Sequence, residues 1–349
     1  MGAVSVHANE NLVPGSPYDS ARANALGGAS LPLADDGPSA LYDNPAGFGK
    51  IKASHADFDE TIYLNQSSLV NGGTNIYQIT SLPTYATTLQ STPNSFQGFG
   101  GQIVPSYSTR GFGIGLLIND EMGASADASG NIHYRSLYQL IPAVGGAIRM
   151  ADGLVRLGCS LQWVNQASGV VDTTSSAAIL GYNQKLQKGS GIDSTVGVAF
   201  TLPYQYLPSF NLVGRNLFTT YGGNALLIPA PVNNPIGPLL GSPPSFDTSF
   251  SIQPKIASGV VANLIAEYRD MTNRSGVPFI GRLALGAEIA VRDSFFLRLG
   301  FGTGYPSAGV GVKTKRGEIS FTWYSAEIGT TYLDVRDIRY AFQYQLRVF

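Results

Sequence analysis

The sequence predicts an all-β fold, a transmembrane antiparallel β-barrel, and three observations carry that reading. Between 281 and 349, segment after segment alternates apolar with polar or small residues at a two-residue period, with short turns between. Only 13% of the 349 residues are charged, against roughly 25% in an average soluble protein, so the usual charged exterior cannot be built. The longest apolar runs, such as 256–266, are interrupted by Ser258, Gly259 and Asn263 and fall short of the ~20 residues that a membrane helix needs. A sheet in lipid has no water to satisfy its backbone groups, so it must close on itself.

The C-terminal strands show the pattern most clearly. Leu283, Leu285, Ala287, Ile289 and Val291 share one face of a strand, and Arg282, Gly286, Glu288 and Arg292 share the other. Leu297, Leu299 and Phe301 then oppose Arg298, Gly300 and Gly302, and Ala308, Val310 and Val312 oppose Gly309, Gly311 and Lys313. Ile319, Phe321 and Trp323 follow. The last strand sets Tyr340, Phe342, Tyr344, Leu346 and Val348 against Arg339, Ala341, Gln343, Gln345 and Arg347, and the chain stops at Phe349, out of register with the apolar set. The apolar faces carry no charge, so Leu285, Phe321, Trp323, Phe342 and Tyr344 are expected to face lipid. The opposite faces mix Arg, Glu and Gln with Gly and Ala, which suits a crowded polar lumen, so Arg282, Glu288, Arg292, Arg298 and Arg347 are expected inside.

In chain order, 1–50 is rich in Ala, Gly, Asn, Asp and Pro, lacks a sustained two-residue period, and reads as a segment apart from a barrel at 51–349. Candidate strands follow near 52–64, 75–82, 98–108, 112–119, 132–140, 142–150, 154–165, 193–202 and 209–217. The Pro-, Gly- and Asn-rich stretch 218–244 reads as a long extracellular loop. One long strand or two short ones occupy 248–270, and five more complete the wall, giving between fourteen and sixteen.

Within the first segment, Gly27, Gly28 and Ala29, the acidic pair Asp35 and Asp36, and the run Tyr42, Asn44, Pro45, Ala46 and Gly47 resemble the mature N-terminus of FadL-like outer-membrane proteins, including the PorV-type branch. The blocks at 285–288, 297–301, 307–313 and 211–217 are similar to that branch as well. The resemblance implies a barrel of about fourteen strands with an N-terminal hatch in its lumen, and a role in moving or holding hydrophobic molecules in the outer membrane. Recurrent small residues on one strand face, Gly111, Gly113, Gly115, Gly197 and Ala199, fit a wall that another backbone approaches closely, or one that is tightly curved. Asp35 and Asp36 have Arg282, Arg298 and Arg347 as expected partners, a solvated turn being an equal account.

Other functions find little support. Net charge is -1 without a basic block, so nucleic acid has no electrostatic claim as partner. The histidines are His7, His55 and His133. His133 and Ser136 lie at opposite strand parity, and His55, Asp57 and Asp59 read as a polar patch at a strand end. Cys and His lack metal-ligand spacing, and no cofactor is expected. Cys159 falls with Val155, Leu157, Leu161 and Trp163 on an apolar face, where packing is its expected role. No basic region followed by an apolar core opens 1–11, so a mature or engineered start is inferred. Three readings remain. The first is a transporter of hydrophobic or amphipathic small molecules with an apolar pocket between hatch and wall. The second is a water-filled general porin. The third is a structural barrel that binds lipid, copies of itself or a secretion partner, with Ala287 and Ala308 leaving room for close contact.

Overall fold

The computed structural model describes residues 13, 15–65, 90, 96–126, 129–173, 187–222, 243–328, 331–334 and 336–348. The strand expected at 75–82, most of the 218–244 stretch and Phe349 lie outside these residues.

Alternating side chains give alternating faces, and fourteen strands among the described residues use that alternation to form one closed antiparallel ring. In chain order they are β1 (His55–Asn65), β2 (Phe96–Thr109), β3 (Phe112–Ala126), β4 (Ile132–Met150), β5 (Val155–Thr173), β6 (Gln187–Thr201) and β7 (Ser209–Arg215). After the three-residue β8 (Thr220–Gly222), which pairs with β6, comes β9 (Ser245–Ile252). The short β10 (Lys255–Ala257) pairs with β11 (Val260–Tyr268), and β12 (Leu283–Val291), β13 (Phe295–Gly302), β14 (Tyr305–Lys313), β15 (Gly317–Glu327) and β16 (Arg336–Arg347) follow. β7 pairs with β9 and β9 with β11, and β16 returns to pair with β1, so no ring strand has a free edge.

Neighbouring residues settle which face is which. Leu299 is 55% exposed and Arg298 1% exposed. Large apolar side chains such as Leu285, Phe321 and Phe342 point outward, and the ring's inward side buries Asp57, Asp59, Gln102, Asn119, Glu288 and Gln343. Trp323 and Tyr344 share the outward parity, and so does Cys159, which is exposed. An outer face of oil around a polar interior is the arrangement that lipid requires. No helix among the described residues is long and apolar enough to cross a membrane.

Inside the ring lie α1 (Ala21–Ala25), α2 (Gly37–Tyr42) and a 3-10 turn, Pro45–Lys50, while α3 (Phe279–Arg282) sits between β11 and β12.

Two expectations change, and one open alternative, at 248–270, closes in favour of two strands. The stretches 132–140 and 142–150 are one 19-residue strand, β4. Pro142 lacks an N–H, but the β3–β4 ladder runs on through it, and only the β4–β5 pairing skips Ile141 and Pro142. Pro105 does the same to the β2–β3 pairing, at Val104 and Pro105. The 248–270 stretch holds two ring strands plus β10. Arg292 does not face the lumen: β12 ends at Val291, and Arg292 and Asp293 form an exposed turn with φ of 51° and 52°.

The wall is uneven. β2 to β6 run 14 to 19 residues, whereas β7, β9 and β11 to β14 run 7 to 9.

Candidate functional site: the occupied lumen

The N-terminal segment is shaped by its caps. The Ser20 side chain accepts a hydrogen bond from the Ala23 amide and starts α1. Gly27 and Gly28, at φ of 68° and 83°, end it in left-handed backbone, with the Gly28 amide donating to the Ala23 carbonyl at 2.7 Å. Asp36 begins α2 through a capping box with Ser39, its carboxylate accepting from the Ser39 amide at 2.8 Å. Asn44 then accepts from the Ala46 amide at 3.1 Å, and Pro45 opens the turn that carries Phe48.

The wall receives this segment through its glycines. A methyl group on Gly300 or Gly302 would collide with the backbone of Gly27, and one on Gly158 with the carbonyl of Pro45. Gly197 faces the Asn44 side chain, Gly113 and Gly145 face the Phe48 ring, and Gly115 faces Leu41. Gly111 is different, being a turn residue at φ 85°. Gly47 lies against Ala34 within the segment itself.

Charge and hydrogen bonding complete the seating. Arg298 donates to Glu288 at 2.8 Å, Glu318 at 2.6 Å and Ser320 at 2.8 Å. Arg22 from the segment donates to Glu288 at 2.7 Å and 2.9 Å. Arg269 donates to the Gly27 carbonyl at 2.7 Å, and Arg215 bridges Asp247 and the Tyr42 carbonyl. The Tyr42 hydroxyl donates to the Ile141 carbonyl at 2.8 Å, where β4 pairs with Leu117 of β3. Burial pushes the Asp43 carboxyl up to about 7, against the opposing pull of Arg215. Burial also pulls Lys50, whose ammonium donates to the Pro32 carbonyl, down to about 8.

The structure brings some expected residues together and separates others. Glu288 and Arg298 are cross-strand partners and form one network. Arg347 pairs with Asp57 at 3.1 Å near the turn end. Arg282 is buried under the Tyr268 ring at the opposite rim and donates to the Asp270 carbonyl. The acidic pair does not meet the expected arginines: Asp35 pairs with Arg22 at 3.3 Å, and Asp36 serves its own helix. Sequence reading missed Tyr18, Arg22 and Gln102, and it named Asp59 and Gln343 without their partners. The usable signals were strand parity in both cases: Gln343 on the polar face of the last strand, and Asp59 on the face of β1 shared with His55 and Asp57.

The described cavities are polar. One of about 100 Å³ is lined by Tyr18, Asp36, Asp43, Asp59, Gln343 and Arg347, among others, and one of about 80 Å³ by Pro17, Asp19, Asn119, Glu121, Gln139 and Arg339, among others. The apolar pocket expected between segment and wall is not among them.

His55, Asp57 and Ser108 do converge, yet in the wrong order for nucleophilic catalysis. Nε2 of His55 faces both Asp57, at 3.0 Å, and the Ser108 hydroxyl, at 3.1 Å, while Nδ1 faces the Ala53 carbonyl. A triad needs the carboxylate on the nitrogen opposite the hydroxyl, and Ser108 is wholly buried. Among the described residues no group of His, Cys, Asp and Glu could hold a metal ion.

No protein-family model matches the sequence, and no curated protein does. Among solved structures, the toluene transporter TbuX of Ralstonia pickettii aligns with a TM-score of 0.52 at 14% identity, over 95% of this chain and 98% of that one. The toluene transporter TodX of Pseudomonas putida aligns at 0.53 and 10% identity, over 94% and 97%. The fold is that of these toluene transporters. It is the FadL-like architecture that the N-terminal motif implied, and nothing in the comparisons singles out the PorV-type branch.

Proposed function

We propose that this chain is an outer-membrane barrel that passes hydrophobic or amphipathic small molecules, and that its N-terminal segment is a hatch. The fold shared with two toluene transporters along nearly the whole of each chain supports this reading. So does the way the wall gives up side chains, at Gly158, Gly300 and Gly302, wherever the segment's backbone comes near. A steadily open general porin fits poorly with a lumen occupied by α1, α2 and the turn after them. The activity is passage and not catalysis, since the histidine cluster lacks the order that hydrolysis needs.

The test is uptake of labelled toluene and of a long-chain fatty acid by cells whose own hydrocarbon channels have been deleted, with and without this chain. Faster uptake of either at equal outer-membrane abundance is expected. Uptake no faster than in cells carrying an empty vector would overturn the reading.

A further inference from the structure

Charge is spread unevenly between the two ends of this barrel. At the end where β2 turns into β3, an exposed cation stands in or next to every connection between ring strands except the one between β6 and β7. Arg110 lies between β2 and β3, Arg149 near the end of β4, Lys255 in β10, Arg292 between β12 and β13, and Lys315 and Arg316 between β14 and β15. The exposed acids on the same connections are Asp152 and Asp293. None of the six cations has an ion-pair partner among the described residues. By contrast, Arg269, Arg282 and Arg135, toward the opposite end, donate to the backbone carbonyls of Gly27, Asp270 and Ile328.

The turn cations also share one level, the edge of the apolar outer face. Arg110 lies between Tyr107 and Phe112, Arg292 between Val291 and Phe295, and Lys315 and Arg316 between Val312 and Ile319, and each of those flanking residues is an exposed hydrophobic. They therefore ring the border between oil and water. The connection without a cation, between β6 and β7, instead exposes Tyr204 and Tyr206 beside Leu202 and Leu207. Tyrosine collects at the head-group level of a membrane, its ring toward the oil and its hydroxyl toward water. Two separate features thus set this rim in the plane of lipid head groups.

We propose that the rim binds the phosphates of anionic glycerophospholipids and gathers phosphatidylglycerol-type lipids into the layer surrounding the barrel. Distribution decides between a lipid layer and an acidic protein. A protein docking from one side meets charges gathered in one sector, whereas these stand at intervals around the ring, from β10 through β14 to β4, as a flat sheet of phosphates requires. Short turns of outer-membrane barrels face the periplasm, so the lipids concerned are those of the periplasmic leaflet. Recruitment acts on the outside of the wall, whatever passes through the lumen.

The test reconstitutes the full chain into phosphatidylcholine vesicles with a trace of spin-labelled phosphatidylglycerol or spin-labelled phosphatidylcholine, and reads the motionally restricted fraction of each label by electron spin resonance. Wild type should hold the phosphatidylglycerol label about fivefold more tightly at low ionic strength, the factor that one Lys or Arg contributes near an anionic surface, and high salt should shrink the ratio. The quadruple variant Arg110→Gln, Arg292→Gln, Lys315→Gln, Arg316→Gln should bring the ratio close to one. Arg274→Gln, exposed between β11 and β12 at the opposite end, should leave it unchanged. Heat-modifiable mobility on a gel checks that both variants fold. A wild-type ratio near one would overturn the proposal, and so would a preference that the folded quadruple variant retains. Binding of a polyglutamate peptide by wild type, lost in the quadruple variant and unaccompanied by any lipid preference, would assign the rim to an acidic protein instead.

Discussion

The tall and low halves of the wall hold the same N-terminal segment by different chemistry. In the tall half, β3 to β6 receive 41–48 by shape: Leu41, Phe48 and the Pro45 carbonyl fill the notches at Gly115, Gly113, Gly145 and Gly158. In the low half, β12 to β14 receive 22–28 by backbone contact at Gly300 and Gly302 and by the Arg22, Glu288 and Arg298 network. The two halves also meet lipid differently. On β3 the outward residues are apolar from Phe112 to Ile118 and then turn to Asp120, which is exposed, so the tall strands extend beyond their apolar band. On β12 the outward set from Leu283 to Val291 is apolar over the whole strand. Its 9 residues are about what a tilted strand needs to cross a membrane. One wall thus has a spanning belt of fairly constant height and an extension on one side only.

Breaking the ionic half should cost most. Arg298→Ala leaves buried Glu288 to Arg22 alone and half-buried Glu318 without its cation, and a loss of about 3–5 kcal/mol is expected, read as a lowered denaturant midpoint in detergent. A loss below that of Arg316→Ala, an exposed control, would show that the network does not hold the low half together. Next comes the belt. Leu285→Arg should cost roughly 2 to 4 kcal/mol if that residue lies near mid-bilayer, whereas Asp120→Arg, on the extension of β3, should cost close to nothing. Equal costs in refolding into lipid vesicles would remove the distinction between belt and extension.

In the tall half, Gly158→Leu should lose about 1–3 kcal/mol by overpacking and should expose 41–48 to hydrogen exchange while 22–28 stays protected. Exposure of both stretches together would mean that the two seats are not independent. A pH effect should follow from Asp43. Its folded-state pKa is raised from 3.8 to about 7, so the folded protein holds a proton that the unfolded chain releases, and stability falls as pH rises through that interval. Lys50 works in the opposite direction and higher up: its pKa is lowered from 10.5 to about 8, so stability rises with pH between those values. A denaturant midpoint lower at pH 7.5 than at pH 5, with the difference reduced in Asp43→Asn, is the expected result. The smallest effect concerns Glu60, which lies among outward residues at the midpoint of β1, between Phe58 and Ile62. Glu60→Leu should stabilise the barrel in vesicles by about 1 kcal/mol, and a destabilised variant would show that the carboxylate has a partner in the membrane.

What the sequence made legible follows the two-residue period. Leu285, Phe321 and Phe342 declare the outward face because lipid selects apolar side chains there, with Glu60 of β1 an exception, and the even number of ring strands follows from antiparallel closure. Pro142 misled because an outward proline in a strand removes one hydrogen bond without ending the strand. Arg292 misled because parity extended past Val291 predicts a face for a residue already in a turn. The lumen was harder still. Partners such as Arg22 with Glu288, or Gln102 with Asp19, stand 266 and 83 residues apart, and their meeting depends on how the segment threads the ring, which periodicity does not encode. The glycines of the wall gave the one local hint, because a missing side chain marks the place where another backbone passes.

Tyr42 ties the interior segment to the backbone of the wall itself. Its phenolic hydroxyl reaches the Ile141 carbonyl, in the rung where β4 faces Leu117 of β3. Drawing 37–42 out of the ring would therefore cost the wall a donor to one of its own carbonyls, so the seated helix and the strand beneath it hold each other in place.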